Sequence, residues 1–373
     1  MTAFRFIHSS DLHLGRSFVT YPEAVRGRLV EARHGAIRRL VEAARSHGAV
    51  DILVAGDLFD TETPSASVLR QALAEMAADP SVRWWLLPGN HDSLAAEHLW
   101  ESLSRDAPSN VAALLAPTPV KPSEGVALLP APAPQRRPGR DLTEAMASVA
   151  TESGVLRIGV AHGAVTSFSE EGDPGTIPPD RDRTAELDYL ALGDWHGRLT
   201  VGPRVHYSGA PEQDRWKHGK RGVCLAVILA GPTALPEVTE VEVGALHWDE
   251  VQLSLLPGQD AAAALLAALP ASGRRDVLMR VRAAGRTRLP ERAALERAAG
   301  NVGPEFGHFL LQTNELSVDV ETDDLDAIDR AGALRIAAAE LLAEAEGAEL
   351  AAEERVVARA ALARLYGLVV EDA

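Results

Sequence analysis

The chain has one cysteine, Cys224, in 373 residues, so no intrachain disulfide can form and the expected compartment is the cytoplasm. Cys224 lies in an apolar run, where a thiol packs as a small core side chain. Long apolar runs are also missing. The longest beside a strand pattern is Val223 to Ala230, far short of a membrane span, so no membrane association is expected. No basic segment followed by a long apolar stretch opens the chain, and Asp11 and His13 arrive too early for a signal peptide. Positive charge is scarce. Lys and Arg total 37 against 53 Asp and Glu, a net charge of −16. A protein that coats nucleic acid is more often basic, so only local patches can argue for that partner. No internal repeat is found, and the alanine runs reflect helix-rich composition.

What is present suffices for a large core. Hydrophobic residues make up 46% of the chain, and its length implies more than one domain. Residues 4 to 7 read as a short strand. A helical period follows over 23 to 47, then a buried-strand pattern over 51 to 55, a helix over 65 to 78 and a strand over 83 to 87. Residues 130 to 140 read as a proline-rich loop and 141 to 152 as a helix. Val155 to Ala161 and Tyr189 to Leu192 read as strands, separated by a long polar connection over 166 to 184 with the character of a functional lid. Val223 to Leu229 and Glu237 to Val243 close this part. From 246 the pattern changes to a small α/β domain. Its strands are expected over 248 to 256, 276 to 283 and 308 to 320, and its helices over 260 to 269 and 290 to 299. The expected division is a first domain over 1–245, a small capping domain over 246–330 and a helical segment over 331–373.

Five polar clusters follow apolar runs in the first two hundred residues. They are Asp11-Leu12-His13, Gly56-Asp57-Leu58-Phe59-Asp60, Gly89-Asn90-His91-Asp92, Ala161-His162-Gly163 and Gly193-Asp194-Trp195-His196. In open α/β sheets, sites gather at the C-terminal edge of the strands, which is where these clusters fall. Carboxylate, imidazole and amide are the donors that hard and borderline divalent metals prefer. Taken alone, Asp-x-His or Gly-Asp is an ordinary turn. Gly-Asn-His-Asp after an apolar strand has no packing rationale. Two ions about 3.5–4 Å apart need a bridging carboxylate with two oxygens, and Asp57 is the candidate. Asp11, His13 and His196 would complete one ion, and Asn90, His162 and Asp194 the other. A water held between them would be acidified and attack phosphorus. His91, next to Asn90, would stabilise the transition state or protonate the leaving oxygen. Asp60 and Asp92 read as carboxylates that orient ligands. His8 reads as structural, with ligand support as its alternative, and Trp84-Trp85 reads as core.

The order and spacing of these clusters resemble the calcineurin-like metallophosphoesterases. Within that superfamily, Ile7-His8-Ser9-Ser10-Asp11-Leu12-His13-Leu14-Gly15 resembles the SbcD and meiotic-recombination-eleven DNA nucleases. So do Gly56-Asp57-Leu58-Phe59-Asp60, Tyr189-Leu190-Ala191-Leu192-Gly193 and Tyr207-Ser208-Gly209-Ala210-Pro211. The resemblance spans residues 4 to about 230. It implies a four-layer αββα sandwich with a small C-terminal α/β capping domain and a helical tail. It further implies two divalent metal ions, manganese before iron, magnesium or zinc, and phosphodiester hydrolysis on DNA as a repair exonuclease. It maps Asp11, His13, Asp57, Asn90, His162 and His196 onto metal ligands and His91 onto the catalytic histidine. Where the family usually has Gly-His-x-His, this chain has Gly193-Asp194-Trp195-His196, a harder, anionic donor at the second ion. The same resemblance implies an SMC-like, SbcC-type ATPase partner and a homodimer.

Two patches answer the bulk acidity. Arg215, Lys217, Lys220 and Arg221 surround Trp216 just after the Tyr-Ser-Gly segment, which suits a phosphate backbone and an exposed base, or equally a solvated turn. Arg280 and Arg282 alternate along a strand and so share a face that could track duplex phosphates. Apolar positions Leu350, Val356, Val357, Ala360, Leu362 and Leu365 form either a partner-binding face or packing onto the chain's own domain. Three functional readings result. The first is a DNA exonuclease. The second is a phosphodiesterase or phosphatase on nucleotides or other small phosphoesters. The third is a weakly catalytic subunit that binds DNA ends or an ATPase.

Overall fold

β1 (Phe4–Ser9), β2 (Asp51–Val54), β3 (Arg83–Leu86) and β4 (Val111–Ala113) run parallel and adjacent in a computed structural model of the chain. The structure describes residues 3–165, 175–216, 219–329 and 332–371. On the other side of β1, β10 (Val223–Leu229) and β11 (Glu237–Glu242) complete a six-stranded sheet in antiparallel register, with Phe6 opposite Val227. A second sheet has the order β5 (Val126–Ala131), β6 (Leu156–His162), β7 (Tyr189–Gly193), β9 (Val205–Tyr207) and β8 (Leu199–Gly202).

Alternation along the strands divides the core into layers. Phe6, Leu53, Trp85 and Leu225 of the first sheet share one buried cluster with Leu128, Ile158, Val160 and Tyr189 of the second. The opposite face of the first sheet, with Ile7, Ile52, Val54 and Trp84, packs against α1 (Glu23–Ser46), α2 (Ala66–Ala77) and α3 (Glu97–Asp106) through Ile37, Leu40, Leu73 and Trp100. Each such side chain removed from water contributes about 1.5–3 kcal/mol, so Trp84 and Trp85 are spent on the core, as expected.

The α/β class and the two stacked sheets agree with the expectation. The outer layer over the second sheet is thin. The helix expected over 141–152 is a 3₁₀ segment, Leu142–Ser148, and α4 (Arg181–Thr184) is a single turn. The reason is local. Asp141 caps the segment through the Thr143 amide at 2.8 Å, while the Arg157 guanidinium takes the carbonyls of Met146 and Val149 at 3.1 and 2.8 Å. The guanidinium thereby gives the carbonyls at the end of the segment partners outside a helix. Loop residues Val165 and Ile177 fill the remaining cover.

The chain divides into two compact units, Met1–His247 and Trp248–Ala373. The second unit has a three-stranded sheet of order β12 (His247–Leu255), β13 (Val277–Arg288) and β14 (His308–Asp319), with β13 and β14 parallel. α5 (Ala261–Ala268) and α6 (Leu289–Val302) bury one apolar cluster against it. Leu289 and Ala293 of α6 also share a core with α7 (Thr322–Ile328), α8 (Ala333–Glu346) and α9 (Ala352–Glu371) through Leu325, Ala338, Leu362 and Tyr366. No helix among the described residues is long and apolar enough to cross a membrane.

Candidate metal centre

Parallel pairing brings the C-terminal ends of β1, β2 and β3 to one edge, and the loops that leave them are tied together. The amides of Asp11, His13 and Leu14 donate to the carbonyls of Gly56, Asp57 and Leu58 at 3.1, 3.0 and 2.9 Å, and Asp60 N returns to Leu14 O at 3.0 Å. This ladder matters because Asp11, His13, Asp57 and Asp194 all have positive φ, at 56°, 44°, 54° and 97°. Each such residue costs roughly 1–3 kcal/mol and persists only where the surroundings enforce it. Two glycines make room for the donors. A Cβ on Gly56, at φ 93°, would lie 2.2 Å from His162 Nδ1, and one on Gly89 would lie 2.1 Å from Asp57 Oδ1.

The seven expected donors converge. His13 Nε2 lies 3.6 Å from Asp57 Oδ2 and 3.9 Å from Asp11 Oδ1, and His196 Nε2 lies 3.7 Å from Asp11 Oδ1. His162 Nε2 lies 3.4 Å from Asp57 Oδ2 and 3.8 Å from Asp194 Oδ1. Asn90 Nδ2 donates to Asp194 Oδ1 at 3.1 Å. Asp11, His13 and His196 can share an ion, as can Asp11, Asp57 and His162. One detail differs from the expected bridge. Asp57 Oδ1 accepts the His91 amide at 2.9 Å, so Oδ2 alone faces both imidazoles.

The donors fit divalent ions on their own chemistry. His196 Nδ1 lies 3.1 Å from Asp214 and carries a proton toward it, while His13 Nδ1 lies 3.3 Å from Asp60 without an aligned hydrogen bond, so the Asp60 charge faces the ring. The Nε2 atoms of the two rings face one another at 3.2 Å, a contact that needs a cation or a shared proton between them. His162 Nδ1 donates to Ala55 O at 2.9 Å, while its Nε2 is buried with no hydrogen-bond partner, as is Asn90 Oδ1. Buried polar atoms are rarely left unpaired, and both aim where an ion would complete them.

Electrostatics separate these groups. Burial pushes the Asp57 carboxyl up, but His162, His13 and the His91 amide outweigh it and hold it well below the usual range. Burial opposes charge on His162 too, yet Asp57, Asp11 and Asp194 raise it well above its ordinary value. Burial lowers His13, whereas His196 is raised against its own burial by Asp214 and Asp11. Burial and the Asp57 charge push the Asp92 carboxyl up to about 7.

Supporting residues are also in place. Asp92 accepts from Phe59 N at 3.0 Å and Gly89 N at 2.7 Å, which joins the second and third loops. His91 Nδ1 meets Asp60 O at 2.9 Å, so its proton sits on Nδ1 and Nε2 remains for exchange. His8 spends both ring nitrogens on Tyr189 and Leu192, which makes it structural. Asp214, which sequence reasoning missed, holds His196, Arg16 at 2.7 Å and Arg215 at 3.1 Å. Its signal was its place, three residues beyond the Tyr-Ser-Gly-Ala-Pro segment.

The expected nucleic-acid contacts are less uniform. Arg215 Nη2 lies 3.4 Å from His196 Nδ1, at the centre's edge. Lys220 is exposed, and Arg221 faces the carbonyls of Gly244 and Ala245 at 3.4 Å. Lys217 lies outside the described residues, as does the stretch 166–174 of the expected lid. Arg280 pairs with Glu250, and Arg282 with Glu250 and Glu315, so the charge of that face is largely compensated within its own unit.

A family model described as calcineurin-like phosphoesterase matches residues 4–226. Among curated relatives, the chain is 30% identical over 247 residues to the uncharacterized metallophosphoesterase YhaO of Bacillus subtilis, covering 62% of this chain and 59% of that one. It is 29% identical over 257 residues to the SbcD component of the SbcCD nuclease of Rhodobacter capsulatus, covering 56% and 62%. It is 36% identical over 94 residues to the corresponding component of the SbcCD nuclease of Escherichia coli K12, covering 24% and 22%. The chain thus spans less than two thirds of the length of each of these relatives.

Proposed function

We propose that this chain, which belongs to the calcineurin-like phosphoesterase family, is a two-metal phosphodiesterase acting on DNA, with manganese as the expected ion. Metal-dependent phosphoester hydrolysis is the family's chemistry, and the donor cluster carries the reading. Asp11, His13 and His196 would hold one ion, Asn90, His162 and Asp194 the other, with Asp57 Oδ2 facing both. Bound there, such ions would polarise a phosphoryl oxygen and lower the pKa of water.

The chain's own residues supply the rest. The His91 amide fixes Asp57, and the carbonyl of Asp60 fixes the His91 ring. His91 Nε2, once protonated, can give a proton to a leaving oxygen. Asp214 orients His196 through its Nδ1 and raises its basicity as a ligand, and the Asp60 carboxylate faces the His13 ring at 3.3 Å. Support for DNA as substrate comes from the nucleases among the relatives. Their names also motivate a partner protein for this chain, for which the exposed Val356 and Val357 of α9 are available.

A second reading, hydrolysis of small phosphoesters, is favoured by the net charge of −16 and by the ion-paired arginines of β13. An assay with manganese on linear duplex, single-stranded DNA and bis-p-nitrophenyl phosphate separates the two. Cleavage of both DNA and the small ester is expected. Hydrolysis of the ester without any DNA cleavage would overturn the DNA reading in favour of the second.

A further inference from the structure

The loop between β5 and the 3₁₀ segment carries three arginines that the metal centre does not use. Arg136, Arg137 and Arg140 are exposed, and among the described residues no carboxylate lies within ion-pair distance of any of them. Three such arginines on one short loop make a local cationic cluster in a chain of net charge −16. The arginines on and beside the β13 strand of the second unit, by contrast, are matched by carboxylates: Arg274 with Glu305, Arg286 with Asp319, Arg288 with Glu321 and Arg292 with Glu296. Asp141, next in sequence to Arg140, is already engaged by Thr143 and Arg181.

The same three arginines line a cavity of about 420 Å³ that also reaches Asn90, His162 and Asp194. Its lining also includes the apolar side chains of Ala133, Leu142 and Ile177. A recess with an apolar lining and exposed arginines, opening onto the buried His162 and the half-buried Asn90 and Asp194, matches a nucleotide unit. The apolar lining takes a sugar or base, and the arginines take the phosphate beyond it. Pro134 and Pro138 stiffen the loop and lower the cost of ordering it on a ligand.

We propose that Arg136, Arg137 and Arg140 form a subsite for the phosphates of a polynucleotide strand next to the one being cut. The inference rests on the reading of the donor cluster as the place of phosphoester cleavage. Arginine rather than lysine fits this role, because a guanidinium offers a planar, two-pronged contact to phosphate oxygens. The site selects for substrates with more than one phosphate. A small ester with a single phosphate leaves the arginines unused.

The test compares the full chain with R136Q/R137Q/R140Q. Fluorescence anisotropy of a labelled oligothymidylate in EDTA reads binding without hydrolysis. The variant is expected to bind about tenfold more weakly or worse, with a salt dependence shallower by about two in the log–log slope, since each phosphate contact on a single strand contributes roughly 0.7. In manganese, KM for the oligonucleotide should rise by a similar factor, while kcat/KM for bis-p-nitrophenyl phosphate should stay within about twofold. A variant that binds the oligonucleotide as well as the wild type overturns the subsite. So does an equal loss on both substrates, which marks the loop as structural. Weaker binding by the variant, with no hydrolysis of either substrate by the wild type, keeps the subsite and removes the hydrolase reading instead.

Discussion

The Asn90 amide nitrogen donates to Asp194 Oδ1 at 3.1 Å, which turns the amide oxygen of Asn90 into a buried position without a partner. Asp194 thus has two tasks at the centre, as an anionic donor near His162 and as the group that fixes which end of the Asn90 amide faces an ion. Asp194→Ala should therefore lose more than one donor. The expected result is a fall of about a hundredfold in kcat/KM on bis-p-nitrophenyl phosphate, with fewer than two manganese ions per chain by elemental analysis. Asp194→His, which restores the residue usual in the family, should return activity to within about tenfold of wild type. Wild-type activity and metal content in the alanine variant would remove Asp194 from the centre.

Asp214 tests whether the ring of supporting residues matters as much as the ligands. Its carboxylate accepts from His196 Nδ1 at 3.1 Å and is fully engaged by Arg16 and Arg215. Removing its charge with Asp214→Asn keeps the shape and weakens the hold on the His196 tautomer. Manganese affinity should drop by about 10–100-fold, and the thermal midpoint in EDTA should fall as well, because the buried carboxylate also pairs with Arg16 and Arg215. A metal titration followed by activity reads the first and circular dichroism the second. An unchanged titration would make Asp214 a structural ion-pair partner and nothing more.

Most of the centre is legible from sequence because its donors follow strand ends. Apolar runs at 51–54 and 83–86 announce β2 and β3, and the polar residues Asp57, Asn90 and His91 in the loops after them lie outside the apolar clusters. Asp214 and the Arg136–Arg140 loop are harder to see. Asp214 follows no strand, and its value comes from contacts with His196 and Arg16 that are distant in the chain. The three arginines look like an ordinary polar loop until the fold sets them beside His162. The short strands β4, β8 and β9, of three, four and three residues, carry too few positions to show a period. The pairing of Arg280 and Arg282 with Glu250 was hidden for a similar reason, since the carboxylate comes from a different strand.

Gly56 tests the packing behind the donors. At φ 93° a side chain is strained, and an added Cβ would fall 2.2 Å from the His162 ring. That ring is held by Ala55 O and cannot yield without releasing Nε2 from the centre. Gly56→Ala should cost about 2 kcal/mol or more in denaturant unfolding and abolish manganese-dependent activity together with it. A stable variant with normal activity would show that the His162 loop tolerates displacement, against the geometry of its hydrogen bond.

Protons and metal should compete at the centre, with a defined sign. In the metal-free protein His162 is raised well above its ordinary value of about 6.5 by Asp57, Asp11 and Asp194, and His196 is raised by Asp214 and Asp11. Both imidazoles then keep their protons to higher pH than a free imidazole does, His162 more so than its ordinary value alone would allow. The fold gains stability from them below about 6.5, and that gain is lost as pH rises through the raised values. A metal ligand must be neutral at the coordinating nitrogen, so binding has to expel those protons. His13, lowered by burial, and Asp57, held well below the carboxylate range, are already in their binding forms and add none. The expected outcome is an apparent manganese affinity that rises by between about tenfold and a hundredfold per pH unit near neutrality, one factor of ten for each proton displaced. The rise should flatten above the raised values. Calorimetric titrations in two buffers of different ionisation enthalpy count the protons directly. A count of zero near pH 7 would mean that His162 and His196 are neutral before metal arrives, and that the carboxylates around them do not act as the structure implies.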